Sequence, residues 1–158
     1  MHGKIICALS GYFVTFFINQ KLTVMKKILT GGFAGAVTFT IASGGIFIVF
    51  GDYYYANLTC WREEKDLVIW AGILSALVIG FLLSILFSRS KTTGIISGAK
   101  YGAILGFFVM SFMDFTMYAG SQVFSNLSII MADIVINTCA ISITGGVVAW
   151  VMGMGKKE

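Results

Sequence analysis

Four apolar runs, each of about 20 residues or more, constrain this chain more than anything else in it. They fall at about 28–50, 67–88, 94–119 and 129–154. A run of that length crosses the hydrocarbon layer of a bilayer as a helix. Lipid offers no water to satisfy exposed backbone groups, so each span must close its own hydrogen bonds. The remaining composition agrees: of 158 residues, 58% are hydrophobic and 11% charged. A water-soluble domain of this size has nowhere to hide so much apolar surface. The expected fold class is therefore an all-α integral membrane protein, a four-helix transmembrane bundle occupying residues 28–158. Proline is absent, and glycine recurs periodically instead of clustering at mid-span. That pattern predicts continuous helices rather than broken ones, joined by short turns into an antiparallel bundle.

Residues 1–27 form a separate and less defined segment. Ile5 to Ile18 is apolar but short for a span, and Asn19, Gln20 and Lys21 interrupt it. Met25-Lys26-Lys27 then reads as a fresh start before a membrane helix. A misassigned translation start, an interfacial segment and an uncleaved signal-like region are the three readings of this part.

The net charge of +4 is spread singly and in pairs, without the basic stripe and interleaved aromatics of a nucleic-acid surface. The positions of the basic residues serve better as a topology signal. Lys26, Lys27, Arg89, Lys91, Lys100, Lys156 and Lys157 fall at one set of helix ends, and Arg62 and Lys65 at the other. By the positive-inside rule both ends of the four-helix unit are expected in the cytoplasm. Between the first two spans, Gly51 to Asp66 reads as the longest polar loop, with Tyr53, Tyr54, Tyr55 and Trp61 as an interfacial aromatic belt. The triplets Asn57-Leu58-Thr59 and Asn126-Leu127-Ser128 match the glycosylation sequon, a pattern frequent by chance.

Small residues line three of the spans at four-residue spacing: Gly32, Ala36, Thr40 and Gly44; Gly72, Ala76 and Gly80; Gly94, Gly98, Gly102 and Gly106. Such stripes let another backbone approach closely. One left unused within the monomer would serve a homo-oligomer. The two halves of the chain also resemble each other. Phe50-Gly51-Asp52-Tyr53 matches Phe112-Met113-Asp114-Phe115, Asp66-Leu67-Val68-Ile69 matches Asp133-Ile134-Val135-Ile136, and Ser75 falls against Ser142. Both halves run in the same direction, so a duplication would be a parallel repeat about an axis along the membrane normal. Asp52 and Asp66 would then gather with Asp114 and Asp133 around one mouth of the bundle.

Asp114 and Asp133 are the residues nearest to chemistry. Each lies about two turns inside its helix from the connecting turn, where a charge costs roughly 2.5–3.5 kcal/mol on insertion scales. Tyr118 and Asn137 sit one turn beyond them, at i+4. Two carboxyls that meet in a low-dielectric setting do not both ionise, so a shared proton is expected. The pair then serves as a proton relay, a cation site or a neutral lock between helices.

Enzymatic constellations are missing from the sequence. The one histidine, His2, lies at the start, no nucleotide-binding loop occurs, and Cys7, Cys60 and Cys139 have neither metal-ligand nor disulfide spacing. No catalytic residue, metal or cofactor is expected, and the bilayer itself is the expected partner.

The combination Asp114-Phe115-Thr116-Met117-Tyr118-Ala119, Asn126-Leu127-Ser128, Asp133-Ile134-Val135 and Thr144-Gly145-Gly146-Val147-Val148-Ala149-Trp150, followed by Gly153 and Lys156, resembles a group of small uncharacterised bacterial four-helix membrane proteins. The resemblance covers roughly residues 25–157 and leaves out residues 1–24. It implies a bacterial inner-membrane setting and brings no activity or functional residues with it. The reading at this point is a structural or accessory membrane protein. Its alternative is a passage or binding protein for protons, cations or a small solute.

Overall fold

The computed structural model describes the backbone of residues 2–57, 68–121, 123–124 and 126–154, and their side chains from residue 23 onward, residue 55 excepted. Within these residues lie four helices: α1 (His2–Asn57), α2 (Ile69–Ser90), α3 (Ile95–Gly120) and α4 (Leu127–Gly153). All four are long and apolar enough to cross a membrane, the relevant part of α1 being Thr23–Tyr54. Large apolar side chains face outward on every helix: Phe33, Ile41 and Ile48 on α1, Ile69 and Trp70 on α2, Phe108 and Phe112 on α3, Val135 and Ile143 on α4. Water would penalise that surface, whereas lipid tails match it. The chain is an all-α, four-helix membrane protein.

The first helix departs from the sequence expectation at both ends. It passes through the boundary placed at residue 27 without a break, and it continues beyond residue 50 to Asn57. Gly51, where the composition suggests the start of a polar loop, is a buried helical residue, and Tyr54 one turn later is buried too. Tertiary packing of this last turn outweighs the modest helix propensities of Gly, Asp and Asn. The Asn57 side chain closes the turn by donating to the Tyr53 carbonyl at 2.8 Å.

Both short connections have local causes. At the end of α2, Lys91 takes a left-handed conformation (φ 53°) and donates its N–H to the Phe87 carbonyl, satisfying an orphan helix-end acceptor. Thr92 N–H donates to the same oxygen at 3.1 Å, and Gly94 supplies φ 98° just before α3. At the far end, Ser121 N–H donates to the Met117 carbonyl at 2.9 Å. Asn126 then caps α4, its side-chain oxygen accepting from Ile129 N–H at 3.2 Å. The triplet read as a sequon thus works here as a helix start.

α4 is the hub. It packs against α3, α1 and α2, and α1 packs along α2, while α3 has no comparable contact with α1 or α2. Accordingly α4 buries Ile129, Ile130, Ile134, Ile141, Val148 and Ala149, whereas α3 buries only Gly98, Gly102, Gly106 and Asp114. The main core joins Leu83 and Phe87 of α2 to Ile141, Val148, Ala149 and Met152 of α4. Two hydroxyls cross between helices there: Ser84 donates to the Ile28 carbonyl at 2.8 Å and Ser142 to the Ala99 carbonyl at 3.0 Å.

The glycine stripes work over only part of their length. On α3, a Cβ added at Gly98 would strike the Gly145 carbonyl and Ala149 of α4. One added at Gly102 would lie 2.7 Å from the Ile141 carbonyl, and one at Gly106 would lie 3.0 Å from Ile141 Cβ. On α2, a Cβ at Gly80 would strike the backbone of Gly32 and Ala36. Gly44 and Gly72, expected to continue their stripes, face open space. Four-residue steps overshoot the 3.6-residue turn by about 40° each, so Gly44 is turned roughly 120° away from Gly32. Gly94 is likewise corrected from packing residue to turn residue, since its Cβ position is open and its φ is positive.

Two of the pairs matched between the halves differ in their surroundings. Asp114 is buried and Asp52 exposed. Ser142 is half-buried and bonded across to α3, while Ser75 is exposed.

Candidate functional site: a polar cluster joining three helices

The cluster lies at the end of the bundle where α3 turns into α4. Asp114 stands six residues before the end of α3 at Gly120, and Asp133 six residues after the start of α4 at Leu127. At about 1.5 Å of rise per residue each is roughly 9 Å inside its helix end. Antiparallel packing therefore sets the two acids at the same depth, with Asp114 a neighbour of Asp133. Asp114 is only 5% exposed, and its Oδ2 is buried without a hydrogen-bond partner.

Asp133 is the centre of the bonding pattern. Its Oδ1 accepts from the Tyr54 hydroxyl of α1 at 2.6 Å and from the Asn137 side-chain amide at 2.9 Å. Asn137 also donates to the Asp133 carbonyl at 3.1 Å, which follows from its i+4 position on the same helix face. Tyr54 is itself 5% exposed and packs with Ile129, flanked by Ile46, Val123 and Phe124. The Asp133 carboxyl thus ties α1 to α4, with Asp114 of α3 as its neighbour.

A cavity of about 220 Å³ opens between α1 and α4 beside this network, lined by Ser43, Ile46, Phe47, Tyr54, Asp133 and Asn137. Ser43 Oγ and, on the α3-facing side of α4, Thr138 Oγ1 are buried without partners. No described basic side chain shares the cluster. Lys26 and Lys27 are on the opposite half of α1, Arg89 and Lys91 end α2, and Lys100 starts α3. Among the described residues no group of three or more His, Cys, Asp or Glu could hold a metal ion.

Of the residues singled out in the sequence, the structure brings together Asp114, Asp133 and Asn137. Tyr118 is not with them: it is 46% exposed on the outer face of α3. Asp52 is an exposed residue of α1 rather than part of an acidic mouth, and Asp66 lies outside the described residues. Tyr54 is the member the sequence reading missed, because it was placed in the loop. The signal was available. Tyr54 follows Ala36 by 18 residues, five helical turns, and so lies on the face that Ala36 buries. No family model, no curated protein and no solved structure matches this chain.

Proposed function

We propose that this chain is a small multi-pass inner-membrane protein with a structural or accessory role, in which the Asp114–Asp133 pair is a proton-sharing lock. The observation that carries the reading is the saturation of Asp133 Oδ1 by Tyr54 and Asn137. That arrangement fixes the carboxyl group between helices and leaves little of it free to hold a ligand. Interhelical polar contacts in membranes average about 0.6 kcal/mol, enough to set register between helices whose surfaces are otherwise smooth. The excess of basic residues at the opposite end supports an outer-side position for the cluster.

A second reading, passage or binding of protons or small cations, is favoured by the cavity that reaches Asp133 beside the unpartnered Ser43 Oγ. Replacing Asp114 and Asp133 together by Asn separates the two. Amides still hydrogen-bond, so under the lock reading the double variant folds and melts within a few degrees of the parent. Parent proteoliposomes then show no acid- or cation-driven flux. A flux in the parent that vanishes in the double variant replaces the lock with the passage reading.

A further inference from the structure

The opposite end of the bundle carries a second feature, independent of the acid cluster. Because α3 packs on α4 and not on α2, a groove of about 320 Å³ separates α2 from α3. Leu86, Phe87 and Ser90 form one wall, and Tyr101, Ile104 and Phe108 the other. The floor is the main core, through Phe87 and Leu105. The groove is apolar along its length and ends in a polar rim of Ser90 and Tyr101.

The charges around that rim are of one sign. Arg89 lies three residues after Leu86, and Lys100 four residues before Ile104. Each is therefore on the helix face of a groove-lining residue. Lys91 follows Ser90 in the left-handed turn. Arg89, Lys91 and Lys100 are all exposed, and the described acids Asp52, Asp114 and Asp133 stand at the other ends of their helices. An apolar slot whose polar end is neighboured in the chain by three exposed cations matches an amphiphile with a hydrocarbon tail and an anionic head.

We propose that the α2–α3 groove binds an anionic glycerophospholipid, one acyl chain lying along Leu86, Ile104 and Phe108 and the phosphate held by Arg89, Lys91 and Lys100. Arg supplies a planar donor fork suited to phosphate oxygens, and Lys reaches the head-group level on its flexible stem. Basic side chains near a membrane surface attract anionic lipid by ordinary Coulomb forces. The groove turns that diffuse attraction into a located site.

The test uses the full chain purified in neutral detergent and titrated with equal amounts of phosphatidylglycerol and phosphatidylcholine, with bound lipid counted by native mass spectrometry. The parent is expected to retain phosphatidylglycerol preferentially. The double variant Arg89→Gln/Lys100→Gln should lose that preference by on the order of tenfold. The charge-matched control Lys26→Gln/Lys27→Gln should keep it. Ile104→Trp, which fills the slot from an exposed position and leaves every charge in place, should reduce retention of both lipids. Inorganic phosphate alone should not raise the melting temperature. Equal loss in the two charge variants, undiminished retention in Ile104→Trp, or stabilisation by phosphate alone would each overturn the site.

Discussion

Tyr54 and Tyr118 form a natural pair for comparison, since each is an aromatic hydroxyl within reach of the same end of the bundle. Only Tyr54 donates to Asp133, at 2.6 Å from a buried position. Tyr54→Phe removes that oxygen and keeps the ring packed on Ile129, so the expected loss is about 0.5–2 kcal/mol. Tyr118→Phe, on an exposed side chain, is expected to stay within about 0.5 kcal/mol. Reversible unfolding in mixed micelles measures both. Comparable losses would mean that the hydroxyl bond to Asp133 contributes nothing. The acid pair itself was legible, because a short turn between two antiparallel spans fixes the relative depth of residues on either side. Its third partner was not. A tyrosine beside Gly51-Asp52 has the composition of a loop, and only the packing of α1 against α4 keeps that turn helical.

Helix pairing in this bundle rests on bare backbone at a few crossing points. Gly98 and Gly145 face each other so closely that a Cβ on Gly145 would stand 2.5 Å from the Gly98 carbonyl. Gly98→Ala and Gly145→Ala are each expected to cost about 1–3 kcal/mol by forcing α3 and α4 apart, and Gly80→Ala should act similarly between α1 and α2. Gly44→Ala and Gly72→Ala meet nothing within 4 Å and should be neutral or stabilising by about 0.5–1 kcal/mol, as expected for glycine replaced within a helix. Thermal denaturation of the purified variants sorts the two groups, and destabilisation by Gly44→Ala would show that its face packs against something. The positions of α2, α3 and α4 were readable to within about two residues, because apolar run length is set by bilayer thickness. Which half of each small-residue stripe makes contact was not readable. Four-residue spacing and helical pitch drift apart, and the crossing point decides where they coincide with a neighbour.

At the scale of the whole molecule, the arrangement is asymmetric in two senses. α4 is surrounded and α3 is peripheral, so one hairpin serves as core and flank at once. The acid cluster and the basic rim are at opposite ends of the same bundle, which gives the molecule a polarity across the membrane. Ser121 ends α3 on the acid side and Arg89 lies just before α3 on the basic side, and both are exposed. A single cysteine at either site, with Cys7, Cys60 and Cys139 replaced by Ala, therefore reports on the two faces of one span. In intact spheroplasts a membrane-impermeant maleimide should label Ser121→Cys directly, and Arg89→Cys only after permeabilisation. The reverse pattern would invert the orientation while leaving the spans intact, and would move the lipid groove to the outer leaflet. Labelling of both sites from one side would mean that α3 does not cross. The acids at its far end would then be a surface feature rather than a lock inside the membrane.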